Sequence, residues 1–149
     1  MKTILLIEDD RALRENTEEL LELSGYSVMT APNGKLGIQL ANEKIPDIII
    51  CDIMMPVIDG FGVLEKISND EKTKQIPFIF LSAKTEHKEI RKGLDLGADD
   101  YLTKPFEEEE LISAIESQLA KVELMNGMHN KTSNGHDVSK DELQTLNEL

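Results

Sequence analysis

Five short apolar runs punctuate the chain at nearly even intervals: TILLI (3–7), SVMTA (27–31), DIIIC (47–51), FIFLS (78–82) and DYLT (100–103). Between them lie segments whose apolar residues recur at helical spacing. Strand-like runs alternating with helices specify βαβ units, and the right-handed crossover then leaves a parallel sheet with helices on both faces. The third run is apolar at nearly every position, as a strand buried on both faces must be.

The first helical segment carries Leu13, Leu20 and Leu21 on one side and stops at Gly25, a helix-ending glycine. The second starts near Asn33 and Gly34 and carries Leu36, Ile38, Leu40 and Ala41. The third follows Asp59 and Gly60 with Phe61, Val63, Leu64 and Ile67. A fourth, around Ile90 and Leu94, is weakly amphipathic and ends near Gly97. The fifth opens on the acidic run at 107–110, suited to the positive end of a helix dipole, and continues through Leu111, Ile112, Ile115, Leu119 and Val122.

At 149 residues there is room for one domain and a tail. Residues 1–122 are expected to form the domain. After about Met125 the stretch NGMHNKTSNGH is polar and turn-rich, and reads as a linker. DVSKDELQTLNEL then reads as a fresh helix start: Ser139 and Glu142 have capping-box spacing, and Val138 with Leu143 that of a hydrophobic staple. Residues 123–149 are therefore expected to be a linker or tail with a helix start, either the end of a stand-alone regulator or, the favoured reading, a lead towards an output domain outside this sequence. The net charge of −13 argues against binding nucleic acid or an anionic membrane through the overall field. One cysteine permits no internal disulfide, the first ten residues do not make a signal peptide, and no run approaches a membrane span. A cytoplasmic protein is expected.

Open sheets of this class bind ligands beyond the carboxyl ends of their strands. The first run ends in Glu8, Asp9 and Asp10, the third in Asp52, the fourth in Ser82 and the fifth in Lys104 before Pro105; the second ends in Ala31 and Pro32. Several carboxylates at one edge need a counter-charge, and hard oxygen ligands suit Mg²⁺. A carboxylate nucleophile, a divalent cation, a lysine and a hydroxyl together suit phosphoryl transfer through an acyl phosphate.

LLIEDD, IICDIMMPVIDG, FIFLSA and YLTKPF, in that order and spacing, resemble the receiver domain of two-component response regulators. The resemblance covers residues 1 to about 122 and implies a flavodoxin-like, doubly wound sheet of strand order 2-1-3-4-5 with five helices. It implies that Asp52 is the phosphoacceptor for a histidine kinase or phosphotransfer protein, and that Glu8 and Asp9 hold Mg²⁺ with the backbone carbonyl of Met54. Ser82 would be the switch hydroxyl, Tyr101 the aromatic that changes rotamer with it, and Lys104 the phosphoryl contact, with a cis bond before Pro105. The surface of the fourth helix, fifth strand and fifth helix would meet partners or a second copy. Such a domain catalyses only its own phosphorylation and dephosphorylation.

Bland readings compete at each position. Asp52 could cap a turn, and Asp10 reads as a cap. Tyr101 could be a packing residue, Cys51 reads as core, and the three histidines read as surface. A haloacid-dehalogenase-type phosphatase would need an acid where Met54 stands. A flavin carrier would need a Ser/Thr-rich loop where the three acids stand, and an EF-hand fails at Met55, Val57 and Lys66. The remaining alternative is a phosphorylation-independent interaction module. The side chains two beyond Asp52 and two beyond Ser82, Met54 and Lys84, offer no acceptor for a hydrolytic water's proton, so a long-lived phosphorylated state is expected.

Overall fold

The computed structural model describes residues 1–83 and 87–133, with the side chains of all of these except 87, 89 and 128–133. Its elements run β1 (Thr3–Ile7), α1 (Arg11–Leu23), β2 (Ser27–Ala31), α2 (Gly34–Lys44), β3 (Ile48–Asp52), α3 (Gly60–Ser68), β4 (Phe78–Ser82), α4 (His87–Asp95), β5 (Asp100–Thr103) and α5 (Glu108–Ser133). The strands form one parallel sheet of order β2-β1-β3-β4-β5.

Strand alternation divides the core between the two faces. Leu5, Ile7, Ile49, Cys51, Phe78 and Phe80 point to one side and pack with Ala41, Phe61, Val63, Leu64 and Ile67. Ile4, Leu6, Ile48, Ile50, Ile79 and Leu81 point to the other, against Leu21, Leu111, Ala114 and Ile115. Three of the turns from strand to helix are tied by a side-chain cap. Asp10 accepts from the amide of Leu13 at 3.0 Å, Asn33 from that of Leu36 at 2.8 Å, and Asp59 from that of Gly62 at 2.9 Å. Each fills an amide that the first helical turn leaves unpaired.

Two helices differ from the sequence reading. On α4 it is Gly93 that is buried, while Leu94 is about half exposed. A Cβ at Gly93 would stand 2.9 Å from the Phe80 ring, so the missing side chain is what admits α4 to the sheet. Lys92 lies over the Phe61 ring, 4.5 Å from its centroid. The second difference is that α5 continues through Ser133, into the stretch read as a linker. No proline follows Pro105, and Gly127 lowers helix propensity by about 1 kcal/mol without breaking the i to i−4 bonds. The expected helix start at 138–149 lies outside the described residues, as does Lys84.

Gly60 fixes how closely α3 approaches β3. Its amide donates to the carbonyl of Ile53 at 2.8 Å, and a Cβ there would lie 2.5 Å from the carbonyl oxygen of Asp52 and 2.7 Å from Cα of Ile53. Both obstacles are backbone and cannot turn aside. Gly60→Ala is therefore expected to cost about 2–3 kcal/mol. In urea titrations this should appear as a lower midpoint at unchanged slope. An unchanged midpoint would show that the strand end yields freely.

Candidate functional site

Every charged residue expected at the site comes from a strand end. Glu8 follows β1, whose ladder continues one step further through the Glu8 amide to the carbonyl of Ala31 at 3.0 Å. Glu8 and Asp52 are buried, at 1% and 4% exposure, while Asp9 is exposed. Lys104 leaves β5 with its amide bonded to the carbonyl of Ser82 at 2.7 Å, and the Lys104–Pro105 peptide bond is cis. Its ammonium lies between the two buried acids, 2.7 Å from Glu8 Oε1 and 3.1 Å from Asp52 Oδ1. Glu8 Oε2 accepts from the amide of Asp10 at 3.2 Å.

Oxygens of Glu8, Asp9 and Asp52 all lie within 4.8 Å of one another, a spacing and chemistry that could hold a metal ion. Hard carboxylate oxygens fit Mg²⁺ better than a soft metal. One lysine cannot neutralise three acids, so the set retains negative charge for a cation.

Burial dominates the protonation of this cluster. It pushes Glu8 up to about 7, assisted by the charge of Asp52 and opposed by hydrogen bonds from Lys104 and from the Asp10 amide. Burial also raises Asp52, against the charge and hydrogen bond of Lys104. For Lys104 burial acts downward, but the hydrogen bond it donates to Glu8 and the charge of Asp52 outweigh it, and its pKa is raised. Burial lifts the Cys51 thiol well above its usual range, so this side chain is core, as expected.

A carboxyl whose folded pKa is raised favours the folded state below its unfolded value, and that contribution is lost as pH rises through the folded value. In EDTA, stability should therefore fall as pH rises from 5 to 8, by about 1 kcal/mol per pH unit at the steepest point of the Glu8 titration. Glu8→Gln should flatten that part of the curve. A slope unchanged by Glu8→Gln would place the lost protons elsewhere.

Ser82 is fully buried at the end of β4. Tyr101, on β5 opposite Phe80, is half-buried and packs against the core on the α2 and α3 side. Met54 lies in the loop after β3 and is 54% exposed, while Met55 is buried. The side chains of the three histidines lie outside the described residues. Sequence reasoning missed Arg14, whose Nη1 donates to the carbonyl of Glu8 at 2.8 Å and lies 3.5 Å from that of Asp9. An arginine one helical turn past the acids carries no signal of its own, since its target depends on the path of the loop.

A doubly wound 2-1-3-4-5 sheet with acids, a hydroxyl and a lysine at its carboxyl edge defines a flavodoxin-like protein of the receiver type. The family model described as response regulator receiver domain matches residues 4–116, and the chain belongs to that family. It is a receiver domain of two-component response regulators. It is 40% identical over 123 residues to the DNA-binding dual master transcriptional regulator RpaA of Synechocystis sp., covering 83% of this chain and 51% of that protein. A response regulator receiver domain protein from Clostridium thermocellum superposes with a TM-score of 0.79 at 28% identity, covering 84% of this chain and 99% of that one. The receiver domain of a Pseudomonas aeruginosa sensor histidine kinase, described with a magnesium ion coordinated in its active site cleft, superposes with a TM-score of 0.75 at 29% identity, covering 80% and 98%. The chain spans about half to two thirds of the length of the first curated relatives it matches. Among the described residues no helix is long and apolar enough to cross a membrane.

Proposed function

We propose that this receiver is a phosphorylation switch in which Asp52 accepts a phosphoryl group from a histidine kinase or phosphotransfer protein. The observation that carries the reading is the ammonium of Lys104 shared between Glu8 and Asp52, beside an exposed Asp9. A carboxylate oxygen of Asp52 attacks phosphorus; the P–O bond forms as the P–N bond of the donor phosphohistidine breaks, and the electron pair leaves with the imidazole nitrogen. Attack requires ionised Asp52. Burial works against that state, and the adjacent ammonium favours it.

Glu8, Asp9 and Asp52, with the carbonyl of Met54, would hold Mg²⁺, which when bound takes up charge on the phosphoryl oxygens. Lys104 would then turn from Asp52 towards a phosphoryl oxygen, and Ser82 would donate to another. Ser82 moving towards the phosphoryl group frees space into which Tyr101 turns, and the surface of α4, β5 and α5 changes with it. That surface would bind partners or a second copy of the chain. The domain acts enzymatically only on its own phosphorylation state and works in the cytoplasm. Relatives that are transcriptional regulators favour a transcriptional output for the protein carrying it, through parts other than this acidic domain.

The test is incubation with Mg²⁺ and acetyl phosphate followed by intact-mass analysis. One added phosphoryl group, labile to base and hydroxylamine and absent in EDTA, is the expected result. No uptake under any Mg²⁺ concentration would leave the domain as an interaction module alone.

A further inference from the structure

We infer that Arg14 is a positioning residue for the cation site, setting the peptide planes of the loop that presents Glu8 and Asp9. The inference rests on the reading that Mg²⁺ binds beside Asp52. Arg14 lies in the first turn of α1, and its guanidinium faces backward over the loop that joins β1 to that helix. Nη1 donates to the carbonyl of Glu8 at 2.8 Å and sits 3.5 Å from the carbonyl of Asp9.

What Arg14 does not do is equally informative. The chain has 29 acidic residues against 16 basic ones, and Arg11, three residues earlier, pairs with Glu15 at 3.0 Å. Arg14 makes no ion pair among the described residues. Its Nη1 is spent on the backbone of the two residues that offer the first acids of the cluster. Both carbonyls lie past the end of β1, beyond the last ladder bond of the Glu8 amide to Ala31.

The peptide group between Asp9 and Asp10 shows how this reaches the site. A trans peptide is planar, with its C=O and N–H pointing in opposite directions. Its carbonyl is turned towards Arg14, and its N–H donates to Glu8 Oε2 at 3.2 Å. The other oxygen of Glu8 is bound by Lys104 at 2.7 Å. Holding that one peptide plane thus holds the carboxylate of Glu8 and the direction in which Asp9 leaves the backbone. The positive charge of Arg14 acts the other way, since it repels a cation. Orientation should win: groups that orient ligands commonly change metal affinity 10–100-fold, whereas a partly solvated charge is screened by salt.

Calorimetric titration of the full chain with Mg²⁺ supplies the test. Arg14→Met is expected to weaken binding about tenfold, and Arg14→Lys, which keeps the charge and one donor, about threefold. Uptake from acetyl phosphate should need correspondingly more Mg²⁺ for half-maximal rate yet reach the wild-type rate at saturation. A role in stability alone would lower the melting temperature in EDTA and leave Mg²⁺ affinity unchanged; that outcome overturns the inference, as does tighter binding by Arg14→Met. Should Arg14→Met fail to fold, equal affinity of Arg14→Lys and wild type overturns it. A wild type that binds no Mg²⁺ overturns the cation site itself, and is thereby distinguished from failure of Arg14 alone.

Discussion

Asp52→Asn is expected to abolish phosphoryl uptake from acetyl phosphate, to below about 1% of the wild-type rate, while leaving the fold intact. An amide oxygen is a poor nucleophile, and Glu8, the other buried carboxylate beside Lys104, has both oxygens already bound, one by Lys104 and one by the amide of Asp10. The substitution also removes one like charge from the neighbourhood of Glu8 and Asp9, and Lys104 keeps its shorter contact to Glu8. The variant, and Asp52→Ala with it, should therefore melt in EDTA at or above the wild-type temperature and gain less from Mg²⁺. Intact mass measures the first quantity and thermal unfolding the second. Equal uptake by Asp52→Asn would move the phosphoacceptor elsewhere; a lower melting temperature would show that crowding of charge does not govern the apo site.

Lys104→Met should act in the opposite sense and strongly. The variant keeps the apolar stem but leaves two buried carboxyls without the charge they share. Removing one partner of a buried ionic cluster costs several kcal/mol, capped here because the carboxyls can take up protons; a loss of about 3 kcal/mol is expected at pH 7.5 in EDTA. For a domain of this size that is a fall of roughly 10 °C in melting temperature. The sign with pH is definite. Without the ammonium both carboxyls hold their protons to higher pH, so the deficit shrinks towards pH 5 and widens above neutrality. Mg²⁺, as a substitute counter-charge, should recover much of it. Unfolding curves at pH 5 and 7.5 that show the same small loss would demonstrate that Lys104 is not the counter-charge of the cluster.

How much of this was legible in the residues differs from element to element. The runs at 3–7 and 78–82 coincide with β1 and β4, because a strand buried on both faces must be continuously apolar whatever surrounds it; the run at 27–31 coincides with β2, an edge strand that is only partly buried. The caps at Asp10, Asn33 and Asp59 are local, spanning three residues, and the start points they mark for α1, α2 and α3 agree with the sequence reading. On α1, though, only Thr17 and Leu21 are fully buried, and Leu13 and Leu20 lie at the margin. Helical period specifies a face but not its depth. On α4 the buried position is a glycine, invisible to any hydrophobic count, because what it contributes is the space for Phe80.

By itself the sequence determined the order of strands and helices and the set of side chains that end the strands, since both follow from local periodicity and from alternation along the chain. It also placed the acids and Lys104 at one edge, because every strand of a parallel sheet ends on the same side. Only the tertiary structure decided the contacts across that edge: the ammonium shared by Glu8 and Asp52, residues 44 and more positions apart in the chain, and the guanidinium of Arg14 on the loop carbonyls. Such contacts depend on the distance between strand ends and on the direction of individual peptide planes. Those are set by sheet twist and by backbone packing at points such as Gly60, through close approaches that leave no periodic trace in the residues themselves.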